Sequence, residues 1–221
     1  MGASTLVPVE EYLSTSYDPD CDYVDGELED RNVGRKSHAK AQSNLLLALR
    51  IHYPSLFVVV EQRTRVSATR YRIPDVCAML AEPDEEVFTE PPFLCIEVLS
   101  PDDRASRIER KIADYLKFGV RYIWVIDPRT REAFIHAATG MRAVEDGVLR
   151  TSDPDIAVPL AEILGQTDFN NRWRDIMDAW APQRLFQLRN TCPPPMIRTA
   201  ITWMGNWKIA TWARRITASS R

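Results

Sequence analysis

Residues 93–128 read FLCIEVLSPDDRASRIERKIADYLKFGVRYIWVIDP. Phe93 to Leu99 is an apolar run interrupted by one acid, the pattern of a strand covered on both faces. Ser100 offers an N-cap and Pro101 suits a first helical position. Asp103 stands where its carboxylate meets free N–H groups and the positive helix end. Ala105, Ile108, Ile112, Tyr115 and Leu116 form an apolar stripe, and Gly119 closes the helix. Val120 to Ile126 predicts another strand, ended by Asp127-Pro128. An apolar strand, an amphipathic helix and a second strand point to a mixed α/β domain around one central sheet.

The flanking sequence extends this pattern. Val9 to Leu13 predicts a short helix after Pro8, and Asp25-Gly26 between two short strands predicts a hairpin. Ala41, Leu45, Ala48, Leu49 and His52 recur at helical spacing within 37–53, and Pro54 stops that helix. Leu56 to Val66 and Arg72 to Leu80 each predict one strand, joined by a turn at 68–71. Residues 81–92 form an acidic, proline-containing loop. Glu132 to Ala138 and Arg142 to Leu149 predict two more strands, Ile156 to Leu164 continues apolar, and 173–188 is helical in parts.

Composition bounds the function classes. A chain of 221 residues with 27% charged and 45% hydrophobic residues can bury a core and does not read as disordered. Its four cysteines, Cys21, Cys77, Cys95 and Cys192, include no C-x-x-C pair, which argues against a zinc site and a disulfide framework and for a reducing, cytoplasmic setting. No signal peptide is visible and no apolar window is long enough to span a membrane. Net charge is −3, but residues 190–221 carry five basic residues and no acid, so 1–189 hold −8. Three of six tryptophans also fall in that tail, which places a boundary at the Cys192-Pro193-Pro194-Pro195 break: a domain at 1–189 and a basic, tryptophan-rich extension at 190–221. The tail suits a membrane surface, nucleic acid, or a loosely ordered extension.

Two carboxylates stand out. Asp75 is the only charge in Ile73 to Leu80, and Glu97 the only one in Phe93 to Leu99. A lone carboxylate in a buried strand costs several kcal/mol unless it is paired, hydrogen-bonded or bound to a cation. Each alone is accounted for by capping a strand end or by an arginine partner; together, in neighbouring strands, they can share one hard cation. Lys111 flanks the apolar stripe of the following helix, so its stem can lie on the sheet with the ammonium at the strand ends. A solvated lysine is the alternative. Such a trio suits phosphodiester hydrolysis, with an ion polarising the phosphoryl group and a lysine offsetting developing charge. Arg63, Arg65, Arg70 and Arg72 near one motif, and Arg104 and Arg107 near another, read as phosphate contacts or as a surface balancing acids. No glycine-rich phosphate loop or Ser/His/Asp grouping competes.

The motifs YVDGE, a His-bearing helix, RIPDV, IEVLSP and RKIADYLKFGVRYIWVIDP, in that order from about Val9 to about Leu164, resemble the Uma-type putative restriction endonucleases of the PD-(D/E)XK nuclease superfamily. The resemblance implies a restriction-endonuclease-like α/β fold, a mixed central sheet flanked by helices, and a Mg²⁺-dependent endonuclease acting on DNA, with Mn²⁺ as a substitute. It makes Asp75 and Glu97 metal ligands with the Val98 carbonyl, Lys111 the catalytic cation, and Glu27 and His38 accessory positions. The superfamily lysine two residues after the Glu is replaced by Leu99, and the resemblance implies that the following helix supplies it instead, at Lys111; the motif gaps are 22 residues from Asp75 to Glu97 and 14 from Glu97 to Lys111. Tyr115 matches too, as a core aromatic would. A binding module for nucleic acid or protein, on the same fold and without catalysis, is the rival. Homo-oligomerisation is left open.

Every motif and its apolar face precede the tail, so deletion of 191–221 should leave a domain that unfolds cooperatively on heating. A broad, non-cooperative melt of the truncated protein would place the tail tryptophans in the core.

Overall fold

The computed structural model describes residues 6–31 and 35–165. The boundary expected after residue 189, the helical stretch at 173–188 and the basic tail lie outside the described residues. The described chain begins with α1 (Val9–Ser14), β1 (Cys21–Val24), β2 (Glu27–Asp30) and α2 (Lys36–His52). Next come β3 (Phe57–Val60), β4 (Thr64–Ser67), β5 (Arg70–Arg72), β6 (Val76–Met79), β7 (Leu94–Val98), α3 (Ala105–Phe118) and β8 (Tyr122–Asp127). It continues through β9 (Glu132–Ala137), β10 (Gly140–Ala143), β11 (Val148–Thr151), β12 (Ile156–Pro159) and α4 (Leu160–Ile163).

The central sheet has the order β10-β9-β8-β7-β6-β3. Only β7 and β8 run parallel within it, because α3 makes their crossover; the other neighbours are antiparallel. Strand alternation sends Leu94, Ile96 and Val98 of β7 toward α2, where Ala41, Leu45, Ala48 and Leu49 close one core. Cys95 faces α3, whose Ile112 and Tyr115 close the other. This is the mixed sheet flanked by helices that the sequence predicts. Asp25 and Gly26 both adopt positive φ, 51° and 96°, which a two-residue hairpin between β1 and β2 requires.

Two single strands of the sequence reading are each two. The chain leaves the central sheet at Glu61, whose φ of 53° breaks the extended run, and β4 joins a second sheet, β2-β1-β5-β4. It returns through Ile73-Pro74. Pro74 has no N–H for a ladder, so β5 stops at Arg72 and β6 starts at Val76. Asp75 thereby stands in the elbow between the sheets. Helix α3 starts a turn later than predicted. Asp103 turns its carboxylate back to the Ser100 N–H at 2.6 Å, and its N–H donates to the Ser100 carbonyl at 3.0 Å, a local turn that competes with the helix. Residues 142–149 also divide, at Gly147 with φ 69°, into β10 and β11.

Arg72 joins the second sheet to α3. Its side chain is fully buried and meets Asp22, Glu29 and Asp114. Removing it leaves Asp22 and Asp114 without that guanidinium, so Arg72→Met should cost about 3–5 kcal/mol of stability. The measurement is the urea midpoint at unchanged m-value; a shift worth under about 1 kcal/mol would show that the carboxylates find other partners.

Candidate active site

The β6–β7 register pairs Val76 with Ile96, and one step further along that edge stand Asp75 and Glu97. Both side chains are buried. Odd positions of β7 face α3, so Glu97 meets that helix: Lys111 Nζ donates to Oε2 at 2.7 Å and Tyr115 Oη to Oε1 at 2.8 Å. Lys111 and Tyr115 are four apart, one above the other on the same helical face. Lys111 is itself buried, and its ammonium also donates to the Ile73 carbonyl at 3.1 Å, in the elbow beside Asp75.

Asp75 is held from three directions. Arg31 donates to Oδ1 at 2.6 Å, the Val98 N–H donates to Oδ2 at 2.7 Å, and His38 Nε2 lies 3.2 Å from Oδ2. Burial opposes the ionised form, but the His38 hydrogen bond and the charges of Lys111 and Arg31 outweigh it and keep the Asp75 carboxyl below its ordinary range. The same hydrogen bond raises His38. Glu97 behaves oppositely. Burial, with the Asp75 and Asp22 charges added, pushes its carboxyl up to about 7 despite the Lys111 ammonium. Burial disfavours that ammonium, yet the facing carboxylates, Asp22 and Glu97 foremost, raise Lys111.

Asp75, Glu97, Lys111, His38 and the Val98 backbone thus come together. Glu27 does not: it lies exposed beside the hairpin turn. The hairpin acid that reaches the interior is Asp22 of β1, whose Oδ1 accepts the Ile73 N–H at 2.9 Å and whose Oδ2 lies 3.8 Å from Lys111 Nζ. Asp22 carried a weaker signal than Asp75: it is the only charge in Cys21–Val24, but Asp20 and Asp25 flank that short stretch. Arg31 carried none, because it belongs to the polar run after β2. Tyr115 belongs to the core, as a core aromatic would, and also holds Glu97. Most of the arginines read as phosphate contacts are spent internally. Arg63 pairs with Asp20, Arg70 with Asp25 and Asp114, and Arg107 donates to the Glu29 carbonyl, while Arg72 is buried.

No three His, Cys, Asp or Glu side chains form a metal cage among the described residues. The oxygens that would be available to an ion here are two carboxylates and one carbonyl. The Val98 N–H points to Asp75, and strand geometry sends the carbonyl of the same residue to the same side. All three donors are hard oxygens, which suits Mg²⁺ or Mn²⁺ rather than a soft metal. The upward push on Glu97 is the electrostatic demand that a divalent cation would meet. The residues fit such an ion, with Arg31 and Lys111 as the charges that it would displace or share.

The crystal structure of a putative nuclease belonging to DUF820 from Anabaena variabilis matches with a TM-score of 0.62 over 72% of this chain and 98% of that one, at 17% sequence identity. That likeness shows the fold. No curated protein matches the chain. The family model Uma2, described as a putative restriction endonuclease, matches residues 9–162, from the first residue of α1 into α4 and across every residue of the site. The chain belongs to the Uma2 putative restriction endonuclease family.

Proposed function

We propose that the protein is a metal-dependent endonuclease that hydrolyses DNA phosphodiester bonds, with Mg²⁺ as cofactor and Mn²⁺ as a working substitute. The observation that carries this reading is the meeting of Asp75, Glu97 and Lys111 at one buried sheet edge, with Glu97 and Lys111 in direct contact. Family membership supports the nuclease class. Asp75, Glu97 and the Val98 carbonyl would hold the ion. When bound, it would supply positive charge to the phosphoryl oxygens and make water a stronger nucleophile.

The chain's own groups supply the rest. His38 and the Val98 N–H fix the Asp75 carboxylate, and Tyr115 fixes one oxygen of Glu97. Lys111 brings an ammonium into a water-poor setting, where it offsets charge developing on the phosphate far more strongly than a solvated lysine would. Cys21, Cys77 and Cys95 are buried free thiols, which fits a cytoplasmic setting. No described helix is long and apolar enough to cross a membrane.

One observation favours a second reading, a non-catalytic nucleic-acid or protein binding module. Arg31 and Lys111 already pair with Asp75 and Glu97, so the cluster is balanced as a structural network. Incubation of the full-length protein with plasmid and oligonucleotides, in Mg²⁺, Mn²⁺ or chelator, separates the two. The nuclease nicks or cuts only with metal, and the module leaves DNA intact throughout.

Asp75→Asn should lower metal-dependent cleavage at least about 100-fold, because a ligand carboxylate becomes a neutral amide. Calorimetry should show weaker Mn²⁺ binding, and unchanged affinity would place the metal elsewhere. Lys111→Met should lower cleavage by about 10²–10³-fold. Metal affinity should stay equal or rise, since the ammonium competes for Glu97. The variant leaves a buried acid without its cation, so it should also lose about 3 kcal/mol of stability, and cleavage is read where circular dichroism shows it folded. Cleavage at the wild-type rate would remove Lys111 from the catalytic group.

A further inference from the structure

Helix α2 presents two faces at the site edge. His38 and Gln42 turn to Asp75, on its carboxylate and its backbone carbonyl. Beside them Lys36, Ser37, Lys40 and Ala41 line a cavity of about 350 Å³, closed by Pro128, Arg131 and Leu164. Pro128 and Arg131 belong to the turn after β8. The parallel register of Val98 with Ile126 makes that turn emerge at the sheet edge that carries Glu97. The groove and the carboxylates therefore share one edge, and Ser37 and His38 are neighbours in sequence.

The charge of this groove is distinctive. Its lining holds three cations and no acid, in a region, 1–189, whose net charge is −8. Among the described residues, the Lys36 and Arg131 side chains form no ion pair or hydrogen bond, and Lys40 Nζ reaches only the Gly165 carbonyl at 3.3 Å. Arg63, Arg70, Arg72 and Arg107, by contrast, are committed to internal partners. Exposed, uncommitted cations against a partly apolar wall suit an anionic chain: charge for phosphates, a hydroxyl for an oxygen, apolar carbon for sugar faces.

We propose, on the nuclease reading above, that this groove is the track for the DNA phosphodiester backbone beside the bond being cut. Lys36, Lys40 and Arg131 each engage phosphate by charge. Contacts of this kind position the duplex without reading its sequence.

The test is fluorescence anisotropy with the full-length protein and a labelled duplex, in chelator so that no strand is cut, across a salt series. The variant combines Lys36→Ala, Lys40→Gln and Arg131→Gly; Arg131 has φ 65°, which glycine adopts freely. The triple variant should bind about tenfold or more weakly near 0.1 M salt, and the slope of log K against log salt should fall by about 2–3, at about 0.9 per lost phosphate contact. Mn²⁺ binding by calorimetry should be unchanged, and Arg142→Ala, an exposed cation on β10, should leave DNA affinity within twofold. Unchanged affinity and slope in a triple variant of a wild type that binds and cuts DNA would overturn the groove alone. A wild type that neither binds nor cuts DNA under any condition would overturn the nuclease reading, and the groove with it.

Discussion

Burying several carboxylates near one point is the constraint on which this structure turns. Asp22, Asp75, Glu97 and Asp114 all lie in the interior between the two sheets and α3. Isolated, each would cost several kcal/mol. The protein meets that cost with Arg31, Arg72 and Lys111, each brought from a different element onto more than one acid. The compensation is uneven. Asp75, with a guanidinium, an imidazole and a backbone N–H, is held ionised, whereas Glu97, walled in against Lys111 and Tyr115, is pushed up to about 7. Two adjacent acids in opposite electrostatic condition occur at functional sites and in structural ion-pair networks alike.

The scaffold that produces this unevenness is simple. β7 is a central strand with a helix on each face, so alternate residues face opposite helices. Glu97 faces α3 and receives a lysine and a tyrosine one turn apart. Val98 sends its main chain across to Asp75. The elbow at Ile73-Pro74 does the remaining work: proline ends one ladder, the chain changes sheets, and Asp75 is left at the crossing, where its carboxylate meets Arg31, His38 and the Val98 N–H of β7.

Charge is sorted by position. Arginines along the second sheet and α3 knit β1, β2 and β5 to the helix, and they are structural even though their sequence clustering invites a phosphate-binding reading. The groove's cations stand at the start of α2 and on the turn after β8, and of these the Lys36 and Arg131 side chains have no internal partner among the described residues. A list of basic residues cannot separate these classes, because the difference lies in which acids the fold places within reach.

The sequence by itself determined the class, most of the element types and the two solitary acids of the candidate site. Periodicity marks α2 and α3, the apolar run marks β7, Asp25-Gly26 marks the hairpin, and solitary acids in apolar strands mark Asp75 and Glu97; these are local signals, readable without a partner. Tertiary structure decided the rest. It split 56–66 and 72–80 between two sheets, because Glu61 and Pro74 act through backbone geometry that hydropathy does not register. It chose Asp22 over Glu27 as the acid that enters from the hairpin, since burial depends on what packs above a strand. It brought Arg31, from a polar run with no pattern, to 2.6 Å from Asp75. Ion pairs between residues 44 apart in sequence are set by the packing of whole elements, and no local pattern encodes them.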